Sequence, residues 1–220
     1  MVDGIIFDLD GTLWDSTDVG AVAWSEAARK EGYSKKITAE KLKSLYGLPT
    51  ELIAFKLFPE ASETVRLKIM SHSNKLQNKK LEKNGARLYP EVKETLFELK
   101  KQYDLYIVSN CLEGYIPAFI QGHQLEGIFS DYEHPGRTNL SKGENIKLLM
   151  ERNNLKHTFY VGDTLGDETA AKEAKLPFVY ASYGFGESKD YDYELNAFKE
   201  IITLPFFEWK AIEKWILLHG

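Results

Sequence analysis

The chain has 220 residues, a formal net charge of −5 and a hydrophobic content of 43%. This length allows one sizeable core, alone or with a smaller inserted unit, and the mild negative charge gives no support for nucleic acid or a membrane surface as the main partner. The single cysteine, Cys111, excludes a disulfide framework and is typical of a reducing compartment.

The first predicted element is a buried strand in GIIFDLD, residues 4–10. Its residues are mostly apolar and do not alternate with polar ones, as expected for a strand covered on both faces. The segment lacks a basic leader, and its apolar run is too short for a signal peptide or a membrane span. We therefore expect a cytoplasmic protein.

Residues 15–83 contain no convincing strand. Apolar residues fall at helical spacing in four successive stretches, each with one face suited to burial. A connection of this length between two strands should form a unit of its own. We predict a helical domain over residues 15–83, inserted into a core made of residues 1–14 and 84–220.

Three further apolar segments predict buried strands after the insertion: DLYIVSN (104–110), TFYVGD (158–163) and LPFVYAS (176–182). Helical patterns lie between them, one with Pro90 in its first turn and one with Ser141 as the N-cap. This alternation predicts an open α/β sheet. The apolar C-terminal sequence, residues 204–220, predicts a helix that covers the sheet, with an exposed oligomer contact as the alternative.

Polar side chains follow three of the predicted strands, where ligands gather in open parallel sheets. Two unit charges 4 Å apart repel by about 4 kcal/mol at an effective dielectric of 20, so clustered carboxylates need a cation or a protonated member. Oxygen ligands without His or Cys favour Mg²⁺ over Zn²⁺. The residues at or near these strand ends are Asp8, Asp10, Ser109, Asn110, Lys142, Asp163 and Asp167.

An Mg²⁺ site with a lysine and small hydrogen-bonding groups suits a phosphate. Asp8 could attack phosphorus, since a carboxylate is a competent nucleophile. Asp10 emerges on the same side of the strand and could protonate the leaving oxygen and then activate a water. Gly11 allows a sharp turn. The alternative is an ordinary Asp-Gly turn at a strand end.

Four motifs resemble, in order and spacing, those of hydrolases of the haloacid dehalogenase superfamily: DLDGT (8–12), VSN (108–110), Lys142 and VGDTLGD (161–167). The helical insertion resembles the C1-type cap of the phosphoglycolate-phosphatase-like subgroup. The resemblance covers essentially the whole chain. It implies an α/β fold in which a Rossmannoid parallel sheet is flanked by helices and carries an inserted α-helical cap.

The resemblance also implies a role for each matching residue. Asp8 would form an aspartyl-phosphate and bind Mg²⁺, and Asp163 would be a second metal ligand. Asp10 would act as general acid and base, with its backbone carbonyl on the metal. Asp167 would lie behind these ligands or hold Lys142, which would act in catalysis by stabilising charge on Asp8. Phosphate would be bound by Gly11, Thr12, Ser109, Asn110 and Lys142.

The expected function is Mg²⁺-dependent hydrolysis of a small phosphomonoester by a monomer or weak homodimer, without nucleic-acid or membrane partners. One alternative is a phosphosugar mutase resembling β-phosphoglucomutase. Those enzymes place a histidine in the first cap helix where this chain has Gly20. The other alternative is a metabolite-binding regulator without catalysis. Phosphoglycolate, sugar phosphates and nucleotides all remain open as substrates.

Three further positions have two interpretations each. Asp15 could cap the first inserted helix or help to hinge the insertion. The sequence GLP at 47–49 could form a specificity loop or a plain turn between helices. Cys111 adjoins the predicted site and is expected to be a small buried hydrophobic residue.

Overall fold

A parallel β-sheet forms the centre of the molecule. The structure is a computed structural model and describes residues 2–205 and 215. In the described residues, six strands form one sheet in the order β5-β4-β1-β6-β7-β8, and each neighbouring pair is parallel. In chain order the strands are β1 (Gly4–Phe7), β2 (Trp14–Asp15), β3 (Arg87–Leu88), β4 (Asp104–Val108), β5 (Phe129–Glu133), β6 (Thr158–Gly162), β7 (Phe178–Ala181) and β8 (Tyr193–Leu195).

Helices cover both faces of this sheet and also form the connection between β2 and β3. They are α1 (Thr17–Lys30), α2 (Ala39–Lys43), α3 (Thr50–Leu57), α4 (Glu63–Asn84), α5 (Val92–Lys100), α6 (Tyr115–His123), α7 (Pro135–Thr138), α8 (Lys142–Arg152) and α9 (Leu165–Glu173), followed by a 3₁₀ helix at Phe198–Thr203.

The central strand β1 is buried on both faces. Ile5 and Phe7 pack into the larger hydrophobic cluster on one side of the sheet, and Ile6 packs into the cluster on the other side. Strands covered on both sides have no solvent face and therefore need no alternating polar residues. The predicted parallel α/β fold is confirmed.

The two edge strands β5 and β8 were not predicted. In β5, FSDYE, only the last residue is buried, and in β8, YEL, only Leu195 is buried. An edge strand retains polar residues on its open side, so its pattern resembles that of a loop. Helix α5 begins at Val92 rather than at Pro90, because Glu91 adopts the left-handed backbone conformation with φ +59°.

The connection between β2 and β3 contains the four helices α1–α4. They share a hydrophobic cluster of their own, which includes Trp24, Leu42, Phe58 and Ile69. The chain enters and leaves this helical segment through the short antiparallel pair β2–β3, in which Asp15 lies opposite Arg87.

The helix predicted over residues 204–220 lies almost entirely outside the described residues. Within the part of the chain that the structure describes, none of the helices combines the length and the apolar character that crossing a bilayer requires.

Candidate active site

The chain turns sharply after β1, at the carboxyl edge of the sheet. The carbonyl oxygen of Leu9 accepts hydrogen bonds from the backbone N–H groups of Thr12 and Leu13 at 3.1 and 2.8 Å. Gly11 has φ +89°, and a Cβ atom there would lie 2.1 Å from Asp163 Oδ2. The Thr12 hydroxyl donates to Asp163 Oδ1 at 3.3 Å. The turn therefore requires glycine and brings the end of β1 against the end of β6.

Lys142 links two of the predicted acids. It is the first residue of α8, whose N-terminus is capped by reciprocal hydrogen bonds between Ser141 and Glu144. Its Nζ donates to Asp8 Oδ1 at 2.7 Å and to Asp167 Oδ1 at 2.6 Å, and all three side chains are buried. Burial opposes the charged ammonium, but Asp167 and Asp8 outweigh it and hold the pKa of Lys142 well above its usual value.

Three buried acids form a group that could hold a metal ion. Asp8, Asp163 and Asp167 each offer a carboxylate oxygen, and these atoms all lie within 4.8 Å of one another. Burial raises the pKa of Asp8 to about 6 and that of Asp163 well above its usual value, against the opposing effect of Lys142. One lysine cannot neutralise three carboxylates. An all-oxygen donor set with excess negative charge fits a hard divalent cation such as Mg²⁺.

The carboxylate of Asp167 differs from the other two in the number of protein donors from which it accepts hydrogen bonds. Oδ1 accepts from Lys142, and Oδ2 accepts from the Thr164 hydroxyl at 2.6 Å and from the backbone N–H groups of Asp163 and Thr164 at 3.2 and 3.0 Å. Asp163 accepts from the Thr12 hydroxyl and from the backbone N–H of Phe185, so its carboxylate has fewer donors than that of Asp167. Asp8 and Asp163 are therefore the better candidates for direct metal ligands.

The carboxyl group of Asp10 lies apart from this acidic group. The Ser16 hydroxyl donates to Asp10 Oδ1 at 2.6 Å, and the Tyr115 hydroxyl lies 3.0 and 2.9 Å from Oδ1 and Oδ2. Burial raises the pKa of Asp10 to about 7, and the charge of Asp8 adds to this, while the two hydroxyl groups oppose it. Sequence reasoning missed both hydroxyl partners. Tyr115 begins α6, and no local pattern links it to β1.

Ser109 and Asn110 follow β4 and face different neighbours. The Ser109 side chain is buried and hydrogen-bonds Asp8. The Asn110 side chain instead donates from Nδ2 to the carbonyl oxygen of Gly47, between α2 and α3, at 2.8 Å. Asn110 therefore connects the edge of the sheet to the helical segment.

A cavity lies between the sheet edge and the helical segment α1–α4. Asp8, Asp10 and Ser109 line its core side together with Cys111, which is buried as expected. Apart from the GLP sequence at 47–49, which was considered as a specificity loop, the residues on the opposite side were not predicted to belong to the site, because their direction depends on how α4 packs over the sheet. That side includes Trp24, Tyr46, Gly47, Ser73, Asn74 and Gln77.

Asp15 connects three elements at the entry to the helical segment. Its carboxylate accepts from the backbone N–H of Thr17 at 3.1 Å, and it forms ion pairs with Arg87 at 2.6 Å and Lys43 at 2.9 Å. The N-cap position of α1 is Ser16, and its side chain makes no capping hydrogen bond. Asp15 thus contacts the start of α1 and also joins β2 to β3 and α2.

Residues 5–181 match the sequence model of the haloacid dehalogenase-like hydrolases. The chain belongs to this family. This haloacid dehalogenase-like hydrolase is 30% identical over 200 residues to phosphoglycolate phosphatase of Vibrio vulnificus strain CMCP6, with 84% of this chain and 86% of the relative covered. It is 29% identical over 200 residues, with the same coverage, to phosphoglycolate phosphatase of Vibrio cholerae serotype O1.

The fold of this haloacid dehalogenase-like hydrolase is also similar to solved structures. One from Haemophilus somnus, described as a predicted phosphoglycolate phosphatase, superimposes with a TM-score of 0.79 at 23% identity and covers 92% of this chain and 97% of its own. The family and fold predicted from the motifs are thereby confirmed, and so is the prediction of a hydrolytic enzyme.

Proposed function

We propose that this hydrolase is an Mg²⁺-dependent phosphatase that cleaves a small phosphomonoester through an aspartyl-phosphate on Asp8. Membership of the family and similarity to phosphoglycolate phosphatases support a phosphoric monoester hydrolase. The observation that carries the mechanism is the buried Asp8, which lines the cavity while its Oδ1 is held by Lys142 at 2.7 Å. A nucleophile held next to a cation suits attack on a phosphoryl group.

The chemistry would proceed in two steps. In the first, Asp8 forms a bond to phosphorus, the ester P–O bond breaks, and Asp10 gives its proton to the leaving oxygen. In the second, Asp10 takes a proton from a water that attacks the same phosphorus, which releases phosphate and restores Asp8. The Ser16 and Tyr115 hydroxyl groups would orient the Asp10 carboxyl group in both steps.

The remaining site residues would bind the phosphoryl group and the cation. Mg²⁺ held by Asp8, Asp163 and the Asp10 carbonyl would offset negative charge on the phosphoryl oxygens. Lys142 would add positive charge at Asp8, and Asp167 would keep Lys142 in place through their 2.6 Å ion pair. The phosphoryl oxygens would be bound by Gly11, Thr12, Ser109, the backbone N–H of Asn110 and Lys142.

We propose further that residues 15–83 act as a cap over a core of residues 1–14 and 84–220. The separate hydrophobic cluster of α1–α4 supports a unit that can move as a body. The hydrogen bond from Asn110 to Gly47 is a contact that such a cap would make on closing. Closure would exclude bulk water during phosphoryl transfer.

Hydrolysis is favoured over the phosphosugar mutase because Gly20 occupies the position where the mutases have a histidine in the first cap helix. A Cβ atom at this position would lie 2.2 Å from the Tyr46 hydroxyl oxygen, so the space for a larger side chain is already taken. A regulator without catalysis would not need a nucleophile held by Lys142 or an Asp10 carboxyl group oriented by hydroxyl groups, and both are present here. The free, buried Cys111 supports a cytoplasmic location.

The test is release of phosphate from p-nitrophenyl phosphate in Mg²⁺. We expect turnover by the unaltered protein, its loss in Asp8→Asn, and full activity in the matched control Asp18→Asn, at an exposed position of α1. An unchanged rate in Asp8→Asn would overturn the nucleophile assignment. Incubation with a hexose 1-phosphate distinguishes the alternatives, since a mutase would return the isomeric phosphate instead of free phosphate.

A further inference from the structure

The cavity above Asp8 has no positively charged lining. Among the described residues that line it there is no lysine, arginine or histidine. Two lysines of the surrounding elements are already engaged, Lys142 with Asp8 and Lys43 with Asp15. A second anionic group on the substrate would therefore meet Asp8 and Asp10 without a cation of its own.

Two side-chain amides of the cavity already use one of their two N–H donors within the protein. Asn74 Nδ2 donates to the carbonyl oxygen of Glu113 at 3.0 Å, and Gln77 Nε2 donates to the Tyr46 hydroxyl at 3.2 Å. A carboxylate placed here would lose its hydration and gain only the remaining neutral N–H and hydroxyl donors in return, with no cation, which is costly for an ion. An uncharged group loses much less.

One polar side chain in the cavity lacks a partner. The hydroxyl of Ser73 on α4 has no hydrogen-bond partner in the described structure, and the residue is 1% exposed. Buried hydroxyl groups are normally satisfied, so an orphaned one in a ligand cavity indicates a polar group on the ligand. Trp24, Ile53 and Met70 also line the cavity, and their apolar side chains could pack against the carbon atoms of a substrate.

We propose that the substrate is the phosphomonoester of a small uncharged alcohol with at least one further hydroxyl group, and that Ser73 hydrogen-bonds this hydroxyl. The proposal rests on the phosphatase function and narrows it. Phosphoglycolate, whose leaving group carries a carboxylate, fits the cavity poorly. The chain would thus differ in specificity from what the names of its relatives suggest.

Two matched pairs of substrates test the charge argument. Phosphoglycolate and 2-hydroxyethyl phosphate differ by a carboxylate in place of a hydroxymethyl group, and so do 3-phosphoglycerate and glycerol 3-phosphate. We expect kcat/KM in Mg²⁺ to be about tenfold or more higher for the ester that has a hydroxymethyl group than for the ester that has a carboxylate, because the site would leave the carboxylate without a cation. Equal values, or a preference for the carboxylates, would overturn the proposal.

A substitution tests the role of Ser73. Ethyl phosphate lacks the second hydroxyl of 2-hydroxyethyl phosphate, and the ratio of their kcat/KM values measures recognition of that hydroxyl. We expect Ser73→Ala to lower this ratio about tenfold, the usual scale of one buried hydrogen bond. The control Ser71→Ala, at an exposed position on the same helix, should leave the ratio unaltered. An unaltered ratio in Ser73→Ala would remove Ser73 from the proposal.

The assays distinguish a wrong specificity proposal from a wrong phosphatase assignment. If none of these esters nor p-nitrophenyl phosphate releases phosphate in Mg²⁺, both are wrong. If p-nitrophenyl phosphate and the carboxylate esters are hydrolysed best, the enzyme is a phosphatase and only the specificity proposal is wrong.

Discussion

The hydroxyl of Tyr115 lies 2.9 Å from Asp10 Oδ2, although 105 residues separate the two along the chain. Tyr115 begins helix α6 of the core, and its ring packs edge-on against Trp14 with centroids 5.6 Å apart. The ring is therefore held by packing, and its hydroxyl can orient the Asp10 carboxyl group independently of the helical segment.

We predict that Tyr115→Phe lowers kcat about tenfold, since one hydrogen bond to a charged group contributes roughly 1.5–3 kcal/mol and Ser16 still holds Asp10. The phenyl ring keeps its contact with Trp14, so the melting temperature should change little. Steady-state kinetics with p-nitrophenyl phosphate measure the effect. Tyr191→Phe, at an exposed position, is the control. A normal kcat in Tyr115→Phe would contradict the orienting role.

Lys142→Met should destabilise the protein as well as inactivate it. The substitution leaves Asp8 and Asp167 buried without their cation, and breaking a buried ion pair costs roughly 3–5 kcal/mol. We expect a fall in melting temperature of roughly 10 °C, measured at pH 8 in EDTA so that no divalent metal replaces the lysine. Lys147→Met is the control, because Lys147 lies on the same helix and is 47% exposed. Equal melting temperatures for the two variants would contradict this prediction.

Asn110→Ala should weaken the contact between the sheet edge and the helical segment. The variant keeps the backbone N–H of residue 110 but loses the 2.8 Å hydrogen bond to Gly47. We expect a higher KM and faster amide hydrogen exchange in residues 45–48, because closure is less favourable. Asn196→Ala, at an exposed position, serves for comparison. Unaltered exchange in residues 45–48 would show that this bond does not hold the segment closed.

The hydrogen bonds of Glu168 lead us to predict that stability depends on pH for a reason unrelated to catalysis. Its carboxylate accepts from Lys172 at 2.7 Å and from the Ser188 hydroxyl at 2.6 Å, which ties α9 to the loop before β8. Burial by itself would raise the pKa of Glu168, but these hydrogen bonds outweigh it and lower the pKa to about 2. A carboxyl group with a lowered pKa stabilises the fold fully above its unfolded value, near 4.5, and progressively less as the pH falls towards 2.

The melting temperature of Glu168→Gln should therefore lie below that of the unaltered protein at pH 7, with a difference that narrows between pH 4.5 and pH 2. Thermal denaturation followed by circular dichroism at several pH values measures this. Glu82→Gln, at an exposed position of α4, is the control. A difference that stays constant as the pH falls would contradict the assignment.

Part of the fold could be predicted because local patterns determine it. Strands β1, β4, β6 and β7 lie inside the sheet, so their apolar runs are continuous and their ends are marked by polar residues. The edge strand β5 could not be found in the same way, because four of its five residues are not fully buried and its polar sequence resembles that of a loop. The short strands β2 and β3 exist only through their pairing with each other.

The sequence by itself determined which residues are available for chemistry. The motifs that contain Asp8, Asp10, Lys142 and Asp163 resemble those of the family, and the match over residues 5–181 confirms it. That these residues lie close together follows from the parallel sheet, which brings its strand ends to one edge. Only the tertiary structure decided what surrounds them. Three features of the site come from elements that are distant along the chain. They are the hydrogen bond between the Tyr115 hydroxyl and Asp10, the hydrogen bond between Asn110 and the carbonyl oxygen of Gly47, and the side of the cavity around Ser73, which has no charged side chain. Such contacts depend on how whole helices pack across the sheet, and no local pattern records that packing.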